Sequence, residues 1–228
     1  MAFIKKNTTI KEYQDFIKEV YGLNNDRFFN TEGMLTQIQR FTTRALKGIR
    51  KGDKGKIRLN LLISLSWYNS LLNQLRIKIE EDIWKRFPYS CSWCSNCPCS
   101  CLKIHPKTRK KVRIENSKKP KTLEAFQEMF NKIYPKEKRT LQDAGIHLAE
   151  ELGEFSEAIS LYRGRRLEKD FEKITIEAAD LFSCFMGVFN SMGVNYVEEL
   201  AKTFSKNCHV CKKAPCQCSF PEIMGFKS

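Results

Sequence analysis

Residues 150–159 read Glu150-Glu151-Leu152-Gly153-Glu154-Phe155-Ser156-Glu157-Ala158-Ile159, and residues 177–180 answer them with Glu177-Ala178-Ala179-Asp180. Leu148, Leu152, Phe155, Ile159 and Tyr162 recur at steps of four and three, the period of one buried helical stripe. Glu151, Glu154 and Glu157 follow at steps of three, so they share a neighbouring acidic face of the same helix. Glu177 and Asp180 repeat that step at the head of the apolar run Leu181, Phe182, Phe185, Met186, Val188 and Phe189. Two helices can therefore aim four carboxylates at one point.

Clustered carboxylates raise one another's pKa and resist joint ionisation unless a cation joins them. Mg²⁺ suits the task, since it takes oxygen ligands and is commonly shared between a few carboxylates and substrate phosphates. A lone E-x-x-E reads first as a solvated acidic face. The second pair, placed where a buried helix begins, reverses that preference towards the metal reading.

At these residues the chain resembles the MazG-like, all-α nucleoside triphosphate pyrophosphohydrolases, whose pattern is E-x-x-E, a variable gap, then E-x-x-D. Glu151-Leu-Gly-Glu154 and Glu177-Ala-Ala-Asp180 carry the resemblance, within the strings EELGEFSEAI and EAADLF, and it extends over roughly residues 122–207. It implies a helical bundle, Mg²⁺ held by Glu151, Glu154, Glu177 and Asp180, and hydrolysis of a nucleoside triphosphate to monophosphate and pyrophosphate. Family members often place a Lys and an Asn with three residues between them after the last core helix. Lys202 and Asn207 have four between them here, and Lys202 is the corresponding phosphate-binding candidate.

The 228 residues, 42% of them hydrophobic, suffice for one or two modest cores. No apolar run is long enough for a membrane span, and the opening MAFIKKNTTIKEYQDF lacks the core of a signal peptide, so a soluble, cytoplasmic protein is expected. The net charge of +14 is one-sided: residues 1–113 carry 23 Lys and Arg against 9 Asp and Glu, and residues 114–228 carry 17 against 17. The basic half makes nucleic acid a candidate partner beside the nucleotide.

The chain contains one pattern twice. Thr9-Ile-Lys-Glu-Tyr-Gln-Asp-Phe, leading to Tyr21, matches Thr122-Leu-Glu-Ala-Phe-Gln-Glu-Met, leading to Tyr134, and Lys85-Arg-Phe-Pro-Tyr-Ser-Cys91 later lines up with Lys202-Thr-Phe-Ser-Lys-Asn-Cys208. Each repeat ends in C-x2-C-x4-C-x-C: Cys91, Cys94, Cys99 and Cys101, then Cys208, Cys211, Cys216 and Cys218. Four thiolates at short spacing make a tetrahedral shell, and two structural Zn²⁺ sites are expected, each closing the end of its own bundle. Four cysteines also suit an iron–sulfur cluster. Disulfides are disfavoured in a chain without a signal peptide. Cys97 is an extra thiol that could exchange as a ligand, and His105 and His209 beside the clusters read as loop residues or substitute ligands. His147, one turn before the acidic face, is a packing edge or a phosphate contact, and Cys184 reads as a small buried hydrophobe.

These readings give an all-α protein with domains at 1–101 and 122–218, a basic linker at 102–121 and a tail at 219–228. Gln37, Arg40, Asn60 and Ile63 stand in the first repeat where the second has Glu151, Glu154, Glu177 and Asp180, so the first repeat is expected to be degenerate. Because MazG-like bundles usually pair protomers, the resemblance implies an intrachain pseudo-dimer or a further homo-oligomer. In it Arg40 and Arg44, with Arg50 or Lys51, would face the triphosphate. The competing expectation is a zinc-containing nucleic-acid adaptor or a nucleotide sensor without turnover.

Overall fold

The computed structural model describes residues 3–110 and 112–227, and among these every regular element is helical. The α-helices run α1 (Ile10–Phe28), α2 (Thr31–Lys51), α3 (Lys54–Gln74), α4 (Ile79–Arg86), α5 (Cys101–Ile104), α6 (Leu123–Ile133), α7 (Leu141–Arg165), α8 (Glu168–Met192), α9 (Tyr196–Thr203) and α10 (Phe220–Gly225). None is long and apolar enough to cross a membrane among the described residues.

Local chemistry sets the helix ends. Thr9 opens α1 by accepting a bond from the Glu12 N–H, while the Glu12 side chain accepts from the Thr9 N–H, a reciprocal capping box. Thr140 and Asp143 repeat the device at α7. Asn30 and Asp53 cap α2 and α3, and Gly52, at φ 68°, ends α2 in the left-handed region that glycine enters without steric cost. Gly48 lets α2 and α3 meet, because a Cβ there would lie 2.9 Å from Ile57 Cγ1.

Two compact units form: the first joins the chain up to Lys78 with the chain from Asn195, and the second is Ile79–Val194. In the first, α3 is buried on nearly all sides through Leu61, Leu62, Leu65, Tyr68, Leu71 and Leu72, against α1, α2 and α9. In the second, α8 takes that place through Leu181, Phe182, Phe185, Met186, Val188 and Phe189, against α4, α6 and α7. Burying each such side chain contributes about 1.5–3 kcal/mol.

The duplication is visible in a buried polar network that each unit carries once. The Gln14 amide donates to the Ile77 carbonyl (3.0 Å), and Asn73 donates to the Gln14 carbonyl (2.8 Å). The Gln127 amide likewise donates to the Val194 carbonyl (2.7 Å), and Asn190 to the Gln127 carbonyl (3.2 Å).

The compact units do not coincide with the repeats, which corrects the division at 1–101 and 122–218. Each four-cysteine segment docks on the opening helix of the other repeat. Cys99 N–H donates to the Ile133 carbonyl at the end of α6, and Cys216 N–H donates to the Val20 carbonyl on α1, both at 2.7 Å. The chain leaves α3, crosses into the second unit with α4, and returns with α9. Residues 102–121 are correspondingly not a free linker: Trp84 donates to Asn116 (3.0 Å), Lys119 pairs with Glu80 (2.9 Å) and Glu81, and Pro120 is buried. The tail forms α10, whose Phe220 ring meets Phe28 and Phe29 at 5.8 Å each.

Candidate active site and metal centres

Helices α7 and α8 of the second unit bring Glu151, Glu177 and Asp180 together, with ligand oxygens within 4.8 Å of one another. Glu154 is outside that trio but lines the same cleft and raises the pKa of Glu177. The cleft measures about 910 Å³. Burial first, then Asp180, Glu154 and Glu151, push Glu177 up to about 7. Asp180 is also raised, by burial, against the opposing pull of Arg86.

Two carboxylate oxygens, Glu151 Oε2 and Glu177 Oε2, are buried with no hydrogen-bond partner. A buried, unpaired acceptor is costly, more so when it carries charge. Three acids at one point with two orphaned oxygens fit a hard cation of the Mg²⁺ kind, with Glu151, Glu177 and Asp180 as the donors nearest one another and Glu154 beside them.

Arg86 is the residue that the sequence pattern did not mark. Its guanidinium forks onto Asp180, Nε to Oδ1 at 2.9 Å and Nη2 to Oδ2 at 2.5 Å, with both side chains nearly buried. Arg86 belongs to α4, which precedes the acids by more than sixty positions and reaches them only because the chain crosses between units. Arg109 adds a longer contact to Asp180 at 3.9 Å and lies over the Trp93 ring. Lys138 and Arg139 complete the basic wall of the cleft. Gly187 makes room for Arg139, since a Cβ there would meet Arg139 Nη1 at 2.8 Å. Trp93, Leu102 and Ile146 supply an exposed apolar wall in the same cleft.

His147 stands one turn before Glu151, with Nε2 3.5 Å from Oε1. Hydrogen bonding to Cys184 first, then to Glu151, pushes it up to about 10. Cys184 thus packs beside a site group as well as in the core, where it is buried.

The cysteine quartets have one geometry. Each set has its four sulfurs within 4.8 Å of one another; Cys91–Cys101 and Cys94–Cys99 are 3.6 and 3.9 Å apart, and Cys208–Cys218 and Cys211–Cys216 are both 3.9 Å apart. A Zn–S bond of about 2.3 Å places the corners of a tetrahedron about 3.8 Å apart, so each set fits one tetrahedral ion. Main-chain N–H groups point at the same sulfurs in both: Trp93 to Cys91 and Ser100 to Cys94, then Val210 to Cys208 and Gln217 to Cys211. Within each quartet the thiols shift against one another: hydrogen bonding with Cys216 draws Cys208 down, and against burial the Ser100 and Asn96 N–H groups draw Cys94 down, while burial pushes Cys99, Cys101 and Cys218 up and hydrogen bonding with Cys208 pushes Cys216 up. Cys97 is exposed and outside the first quartet. His209 is not a member of the second quartet; its ring meets Phe204, Phe226 and the Tyr21 hydroxyl.

The three basic candidates from the sequence lie in the first unit. Arg40 donates to the carbonyls of Met224 (2.8 Å) and Phe226 (3.0 Å), Arg44 donates to Phe226 (3.3 Å), and Lys202 pairs with Glu199 (2.8 Å). No known protein family, curated protein or solved structure matches the chain.

Proposed function

We propose that the cleft of the second unit binds a nucleotide through its phosphates and a divalent cation, in a protein whose cysteine quartets hold Zn²⁺. The orphaned oxygens of Glu151 and Glu177 carry this reading. Arg109, Lys138, Arg139 and His147 offer donors to phosphate oxygens, and Trp93 offers a face for the base.

The finer reading is a Mg²⁺-dependent nucleoside triphosphate pyrophosphohydrolase of the MazG-like kind, cleaving between the α and β phosphates to give monophosphate and pyrophosphate. Mg²⁺ would supply neutralisation of phosphate charge and make a water a better nucleophile. Glu151, Glu177 and Asp180 would hold the ion, and Glu154, outside the trio, would accept the proton of the attacking water.

A second reading, binding without turnover by a zinc-containing sensor or nucleic-acid adaptor, is favoured by Asp180, whose two oxygens are both held by Arg86. It also draws on the cysteine quartets, which are the most complete metal-type shells among the described residues. Binding therefore has the broader support, and hydrolysis requires in addition that Asp180 be shared with the ion.

Pyrophosphate release from a panel of ribo- and deoxyribonucleoside triphosphates, with intact protein, Glu154→Gln and Asp180→Asn, separates the readings. Release that is lost in both variants supports the hydrolase. Tight Mg²⁺-dependent binding with no release supports the sensor, and salt-sensitive RNA or DNA binding without nucleotide binding supports the adaptor.

A further inference from the structure

Among the described residues the first unit has no acidic trio, yet it keeps a pocket beside the matching helix position. Asn60 on α3 stands where the second repeat has Glu177, and it lines a pocket of about 260 Å³ together with Arg44, Lys47, Lys51, Lys56 and Lys227. Five cations line one small concavity, contributed by α2, α3 and the tail. Gly48 lies on the same wall and allows the close approach of α2 and α3 that brings their cations together.

Little negative charge answers them. Lys56 is 3.6 Å from Asp53, and Arg44 spends one N–H on the Phe226 carbonyl. Lys47, Lys51 and Lys227 make no ion pair among the described residues. Arg40 and Arg44 anchor the tail through its main-chain carbonyls, and this places Lys227 at the pocket.

We infer that this pocket binds a free polyphosphate, of the pyrophosphate or tripolyphosphate class, directly and without a divalent cation. A single phosphate carries at most about two negative charges, too few to balance five cations, whereas linked phosphates approach that number. The replacement of a carboxylate by the Asn60 amide removes the repulsion that a cation has to overcome in the second unit. The first-unit pocket would hold phosphate through its own amines, with no ion between. The inference stands on the first unit alone and does not depend on the reading of the acidic cleft.

The test is calorimetric titration of the intact zinc-loaded chain with inorganic pyrophosphate in buffer free of Mg²⁺, beside Lys47→Ala/Lys51→Ala and Arg109→Ala/Arg139→Ala. Both lysines are exposed, so the first variant should unfold at the temperature of the parent, which a thermal melt checks. The expected result is one site whose affinity falls at least tenfold in Lys47→Ala/Lys51→Ala, is retained in Arg109→Ala/Arg139→Ala, and weakens with added salt. Absence of binding without Mg²⁺, equal affinity in the lysine variant, or loss in the arginine variant alone would each overturn the inference.

Discussion

Arg86 Nε and Nη2 grip both carboxylate oxygens of Asp180, and neither partner has much access to water. A buried pair of this kind adds little net stability over an apolar pair, yet removing one partner strands the other charge at a cost of about 3–5 kcal/mol. Arg86→Met is therefore expected to destabilise the protein by about that amount in urea unfolding. If a divalent cation can take the place of the guanidinium, Mg²⁺ should restore part of the loss in Arg86→Met and less in Arg86→Met/Asp180→Asn. Equal rescue of both would separate Asp180 from the ion.

Glu177 sets the pH dependence. Its folded pKa is raised from 4.5 to about 7, chiefly by burial and then by Asp180, Glu154 and Glu151, with Lys173 opposing. Between those values the folded state binds more protons than the unfolded state, so stability without divalent ions falls as pH rises through that window. Mg²⁺ needs the ionised form and should reverse the trend. Melting temperatures from pH 5 to 8 with and without Mg²⁺ should diverge progressively, and Glu177→Gln should flatten the metal-free curve. Parallel curves would contradict the assignment.

The helical character, the two acidic pairs and both cysteine quartets were legible because each is a local pattern within a few turns of chain, and the duplication because such patterns recur in the same order. The exchange of segments was not. Nothing in Lys85 to Cys101 says which bundle that stretch will join, since both repeats offer the same docking carbonyl, at Val20 or at Ile133. Arg86 escaped notice for the same reason: a lone arginine on a short amphipathic helix becomes a site residue only through the crossing of the chain. The paired networks at Gln14 and Gln127 were hidden too, since buried amides carry no periodicity.

Those networks make a prediction about the core. Asn190 donates to the Gln127 carbonyl while its own side-chain oxygen accepts from the Gln127 amide at 2.9 Å. Asn190→Ala should cost about 1–3 kcal/mol by stranding buried groups, and Asn73→Ala should act similarly in the first unit. Chemical denaturation reads both, and a neutral effect in each would show that the networks do not contribute.

The metal shells can be counted directly. Purified chain should carry two Zn²⁺ by elemental mass spectrometry, and Cys94→Ser and Cys211→Ser should each reduce the content to one. Because structural zinc contributes folding free energy, each variant should also melt earlier. Retention of two ions in both variants would contradict the assigned ligands.

Trp93 bears on recognition of the base. Trp93 is 38% exposed and lines the cleft, its ring under the Arg109 guanidinium. Loss of a stacking face of this kind costs about 1–3 kcal/mol per base. Trp93→Ala should therefore weaken nucleotide binding by about tenfold while leaving the affinity for Mg²⁺ alone unchanged, as followed by calorimetry. Loss of both affinities together would point to a structural role for the ring.

The proposal at stake is that Glu151 and Glu177 hold a divalent cation together with a nucleotide. Calorimetric titration of a non-hydrolysable nucleoside triphosphate analogue, with and without Mg²⁺, into intact protein and Glu177→Gln tests it most directly. The account predicts binding that depends on Mg²⁺ and weakens at least tenfold in the variant. Binding of equal strength in Glu177→Gln, or binding indifferent to Mg²⁺ in the intact chain, would contradict it.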